Sequence, residues 1–182
     1  RSRMLTTAAA IYTMTEVLLE YYDITSKTRR DEEKLEQGMK FMKEFWNKTM
    51  SEVNAFKDYQ KYISDGNSLE AYRKKNLLLK PVTQMALSQA VRLAMDYGFI
   101  YEDLIPKINK INWDPGFYAW SNVLVTTGSS KKMITGSQAL KDAGSLIAYM
   151  LVGEKYNKEE QERLLKVIRE ANDNEEAELP HV

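Results

Sequence analysis

An apolar side chain recurs every three or four positions from Leu35 to Phe56, through Met39, Met42, Phe45, Trp46, Thr49 and Val53. That period matches one face of an α-helix and excludes a half-buried strand, whose faces alternate every second residue. It predicts one long helix over the whole stretch. Thr28 stands where an N-cap would, with Asp31 three residues on as the acid of a near-capping box. Asp31, Glu32 and Glu33 then occupy the first turn, where negative charge complements the helix dipole.

Read the same way, the rest of the chain is mostly α, with about six or seven helices expected. Met4, Ala8, Ile11, Leu18 and Tyr22 form a stripe that predicts a helix over residues 4–23. Ser64, Asp65, Gly66 and Asn67 read as a turn, and Asn67 with Glu70 as a capping box for a short helix over 69–76. Pro81 suits a helix start and Gly98 a left-handed stop, so a long helix is expected to run between them to Tyr97. A short helix is expected around Pro106. Ser137 is the expected cap of a helix ending at Gly153. Asn157 and Glu160 form a capping box for a last helix to about Ala171.

One segment breaks the pattern. Residues 122–126 and 132–135 are rich in β-branched side chains and flank Thr127, Gly128, Ser129 and Ser130. That arrangement predicts a small β-hairpin packed on the helices. Trp113 and Trp120 bracket Pro115 and Gly116 just before it, and both indoles are expected to anchor the core beneath the hairpin. Residues 1–172 read as a single helical domain, a length and a 43% hydrophobic content sufficient for a real core. Residues 173–182 read as a disordered acidic tail.

The composition removes most catalytic chemistry. The chain has no cysteine, which excludes disulfides and thiolate nucleophiles, and its single histidine, His181, lies in the acidic tail. Histidine bases, Ser-His triads and His-ligated zinc are therefore not expected. Glu16 with Glu20, and the acids between Asp31 and Glu36, are read as solvated helix faces. A di-metal bundle would need Glu-x-x-His motifs, and there are none. Residues 127–132 resemble a phosphate loop in composition but lack its G-x-x-x-x-G-K-[ST] spacing. No cofactor is expected. No apolar run is long enough to span a membrane, and no signal-peptide core follows Arg1, so a cytoplasmic location and no membrane partner are expected. Starting at Arg1 without an initiator Met, the chain reads as a fragment of a longer protein, with Met4 as a true start behind a short added leader the alternative.

Formal net charge is zero, but Asp173, Glu175, Glu176 and Glu178 are balanced by no base in the tail. Without them 26 basic residues face 22 acidic ones, a bias of +4. The basic residues cluster as Lys27, Arg29 and Arg30; Arg73, Lys74, Lys75 and Lys80; Lys107 and Lys110; and Lys131 with Lys132. Tyr59, Tyr62 and Tyr72 are interleaved with the second cluster. Bases mixed with aromatics are the usual nucleic-acid footprint, although the same residues also solvate ordinary helix faces. The methionines of the 35–56 stripe fit a core or a partner surface rather than a cofactor box.

A resemblance sharpens this. Arg3, Met4, Leu5 and Thr6 with Ala9, Ala10, Ile11 and Tyr12; Leu79, Lys80 and Pro81 with Gln84, Met85 and Ala86; and Ile111, Asn112 and Trp113 with Trp120 occur in that order. Ser137, Gln138, Ala139, Leu140 and Lys141 follow. Together they resemble the C-terminal part of DndB-type, DGQHR-domain proteins of bacterial DNA sulfur modification (phosphorothioation). The Asp-Gly-Gln-His-Arg signature itself is missing, and Asp65, Gly66, Asn67 and Ser68 are no substitute for it. The resemblance implies a DNA-binding regulator of the modification genes rather than a sulfur-transfer enzyme. Its expected DNA contacts are Arg73, Lys74, Lys75, Lys131 and Lys132, mainly to phosphates. The alternative is a helical scaffold that dimerises or docks other proteins of the system, using the stripe of the second helix.

Overall fold

The structure, a computed structural model, describes residues 5–25, 27, 31–64 and 69–182. Among them are eight α-helices: α1 (Ala8–Leu19), α2 (Glu32–Glu52), α3 (Asn54–Ser64), α4 (Leu69–Lys75), α5 (Pro81–Asp96), α6 (Tyr101–Ile108), α7 (Ser137–Val152) and α8 (Lys158–Asn172). Thr28 and the 65–68 turn, with its Asn67 cap, lie outside the described residues.

The centre is the pair α5 and α7, with α1 packed across α5. Both central helices are small-residue-rich and buried over most of their surface. Ala86, Leu87, Ala90, Val91 and Ala94 face inward from α5, and all of 146–152 from α7. Gly144 sets their spacing. A Cβ there would lie 2.8 Å from Gln89 Oε1 and 3.4 Å from the Ala86 carbonyl, so glycine is what lets the backbones approach. Pro81 opens α5, and Gly98, at φ +86°, turns the chain out of it as the sequence predicts.

The expected first helix is shorter than its stripe. Thr7 caps it, its Oγ1 accepting from Ala10 N at 3.1 Å, and the buried side is Ala10, Met14 and Leu18. Ile11, counted on the apolar stripe, is instead exposed. The expected long second helix is divided. Asp31 caps α2, accepting from Lys34 N at 3.2 Å, and the helix stops at Val53, where ψ is 115°. The reason lies far along the chain. Asn109, at the end of α6, accepts from Asn54 N at 2.8 Å and donates to the Glu52 carbonyl at 3.0 Å. It satisfies two of the backbone groups orphaned by the break.

The expected β-hairpin at 122–135 does not form. Among the described residues this segment holds two isolated bridges and no strand, with Val125 paired antiparallel to Met133. Thr126 N donates to Lys132 O at 2.9 Å and Ile134 N to Leu124 O at 2.8 Å, but the pairing goes no further. Asn122, at φ +52°, bends the chain into a tight loop in which its N–H binds the Val125 carbonyl at 2.7 Å. That loop keeps Asn122 and Val123 from pairing with residues 132–135. The tryptophans do anchor this region. Their rings stack at 5.4 Å with a 2° interplanar angle. Each indole N–H has an acceptor: Ile108 O at 3.1 Å for Trp113, Asn112 O at 2.7 Å for Trp120.

Ser137 is the first residue of α7, and Gly136 takes the cap position without a side-chain bond. The Asn157/Glu160 capping box at α8 is complete, with bonds of 3.0 and 2.9 Å. Residues 173–182, expected to be disordered, lie against the helices. Ala177 and Pro180 are buried, Arg169 Nε donates to Ala177 O at 3.2 Å, and Tyr118 OH donates to Glu178 O at 3.1 Å. Backbone bonding and two apolar contacts, invisible in the acidic composition, hold the tail.

Candidate nucleic-acid interface

The second basic cluster sits on α4 and the turn after it. Packing of α3 on α4 stacks Tyr62 on Tyr72, with ring centroids 4.9 Å apart and a 13° interplanar angle. Tyr72 OH reaches Asp58 at 3.5 Å. Burial, then the nearby Asp58 carboxylate, pushes the Tyr72 phenol up to about 12, so it stays a neutral donor at physiological pH. Lys74 pairs with Glu70 at 3.0 Å on the open face of α4. Arg73 is more committed: its Nε donates to the Leu79 carbonyl at 3.2 Å, anchoring the turn that leads into α5. Lys80 is half-buried, and burial, then the neighbouring Arg73 and Lys74, lowers its pKa.

Lys75 lines a cleft of about 310 Å³ together with Tyr72, Asn76, Asn112 and Asp114. The 112–116 turn on the far side of this cleft is held by Asp114, whose Oδ1 accepts from Gly116 N at 2.6 Å. Lys131 reaches the same turn from the other direction, donating to the Pro115 carbonyl at 2.9 Å. Lys75 and Lys131, more than fifty residues apart in sequence, thus both lie by this turn, one lining the cleft beside it and the other bonded to it. Lys132, beside Lys131, is exposed, and its backbone N–H is held by Thr126 Oγ1 at 3.0 Å.

The remaining clusters do not join them as a block. Arg29 and Arg30 lie outside the described residues. Lys107 closes the end of α7 instead, donating to Leu151 O at 2.6 Å and pairing with Glu154 at 3.5 Å. Lys110 is exposed. The sequence clusters omit Lys57 and Lys61, exposed on α3 and four residues apart, hence on one helix face. That spacing is the signal for them in the sequence, masked by the α2 stripe that runs on through Phe56.

Other expected features resolve as structure. Met42 and Phe45 of the α2 stripe are buried, whereas Met39 is 72% exposed, so the stripe is core rather than a continuous partner surface. Glu16 accepts from Tyr12 OH at 2.7 Å. Among the described residues no group of three His, Cys, Asp or Glu side chains is placed to hold a metal, and no helix is long and apolar enough to cross a membrane.

These features define a mostly helical chain with exposed lysines and a tyrosine stack near the 112–116 turn, where Asp58 and Asp114 also lie. The family model DndB, described as DNA-sulfur modification-associated, matches residues 1–152, and the chain belongs to that family. No curated protein and no solved structure matches the chain.

Proposed function

We propose that this domain is a non-catalytic, DNA-associated regulatory part of a bacterial DNA sulfur-modification system, akin to DGQHR-domain transcription regulators. The observation that carries this reading is that Lys75 lines the cleft beside the 112–116 turn while Lys131 is bonded to that turn. Lys74 and Lys132 are exposed on the same elements, in a chain whose family is tied to DNA sulfur modification. The contacts are to phosphates, since flexible lysines position a duplex without reading bases. Arg73 serves them indirectly by fixing the end of α4, and Lys131 by steadying the turn. The tyrosine stack offers a flat partner to an unpaired base. A cysteine-free chain cannot itself carry a persulfide, in keeping with a non-catalytic role.

The test is fluorescence anisotropy of the chain with a labelled duplex across a salt series. Binding is expected to weaken with salt by roughly 0.9 log units per log unit of salt for each phosphate neutralised. The triple variant Lys74→Glu, Lys75→Glu, Lys132→Glu, which leaves the anchoring bonds of Arg73 and Lys131 intact, should bind more weakly and with a shallower slope. Unchanged affinity in that variant overturns the assignment. Absence of binding at low salt favours the alternative of a docking or dimerisation scaffold, whose exposed apolar side chains are Met39, Ile11 and Tyr12.

A further inference from the structure

A cleft of about 780 Å³, lined by none of the residues around the 112–116 turn, lies between α1, α5, α7 and α8. Its size falls within the few hundred to about a thousand Å³ typical of small-molecule sites. Val17, Leu93, Leu164 and Val167 give it an apolar floor, and Leu93 is 37% exposed there. Three cations line it, Arg92, Lys141 and Arg163, against two acids, Glu20 and Asp142. Asp142 is already engaged by the Gln138 amide at 2.9 Å.

Arg92 is the informative residue. Its side chain is 22% exposed, with the guanidinium carbon 5.5 Å from the centre of the Tyr21 ring. NH1 contacts the Asp96 carboxylate as an ion pair, whereas Nε is shut off from solvent and has no hydrogen-bond acceptor. Buried donors without acceptors are rare and costly, more so on a charged group. Asp96 already balances the Arg92 charge, and Asp23 adds a second negative charge nearby. The attraction for an anion in the cleft therefore comes from Lys141 and Arg163, with the Arg92 guanidinium beside them.

We propose that this cleft is a binding site for a small organic anion with an apolar body. The carboxylate or phosphate is met by Arg92, Lys141 and Arg163, and the body rests on Leu93, Leu164 and Val167. The site is separate from the DNA-contacting surface and does not depend on that assignment. In a regulatory protein it is the place for an effector.

The probe is 8-anilinonaphthalene-1-sulfonate, titrated by fluorescence into the full chain at fixed ionic strength. Saturable one-to-one binding is expected, weakened by at least about tenfold in Arg92→Gln. Because Arg92 is partly buried, the surface variant Lys141→Gln/Arg163→Gln is measured beside it and should also weaken binding, with circular dichroism confirming the fold of each. Displacement by octanoate identifies a carboxylate ligand, and displacement by adenosine monophosphate a phosphate ligand. Non-saturable binding, indifference to both variants, failure of both competitors, or displacement by 1-octanol as effective as by octanoate would each overturn the proposal.

Discussion

Individual side chains in this protein are placed by single hydrogen bonds whose loss can be measured. Thr49 sits in the core between α2 and α6, its hydroxyl 2.6 Å from both the Phe45 carbonyl and Tyr101 OH. Burial raises the Tyr101 pKa, keeping that phenol neutral. Thr49→Val preserves the shape but strands the Tyr101 hydroxyl, and should destabilise by about 1–3 kcal/mol in urea denaturation. Adding Tyr101→Phe should recover much of that loss, since two apolar groups of matching shape are nearly neutral. Tyr72 gives a pH signature. Its phenol, pushed up to about 12 from 10.0 mainly by burial, holds its proton more tightly in the folded state. Its contribution to stability is therefore complete below pH 10 and lost as pH rises through about 12. The urea midpoint of Tyr72→Phe should fall less over that interval than that of the parent chain.

At the scale of elements, what could be read from the sequence was what neighbouring residues decide. Pro81, Gly98 and the Asn157/Glu160 box act within one turn of the chain, and the structure has each where it was expected. The division of α2 from α3 was illegible because its cause, Asn109, lies 55 residues from Asn54. Asn109→Ala should cost about 1–3 kcal/mol through its two lost bonds. Amide exchange should quicken at residues 53–57 before it does in α5. The missing hairpin has a similar origin. Val123, Val125 and Thr126 favour extended backbone, but Asn122 bonds across to Ala171 O at 2.8 Å and keeps the loop closed. In the candidate interface, the lysine clusters were visible as composition. That Arg73 and Lys131 are spent on the Leu79 and Pro115 carbonyls was not, because both partners are defined only once the chain has folded.

At the scale of the whole molecule, the 112–116 turn and the large cleft are lined by different residues of one helical frame. The frame is α5 against α7, drawn close by Gly144. The family match ends at residue 152, and α8 begins at Lys158. Arg163, Leu164 and Val167, one whole wall of the cleft, therefore belong to the stretch beyond the shared pattern. A wall of this kind can be exchanged while the frame and the basic turn stay as they are. On the proposed reading, changing the last helix alone would alter the ligand and leave the nucleic-acid surface untouched, the helix acting as a replaceable faceplate on a common instrument.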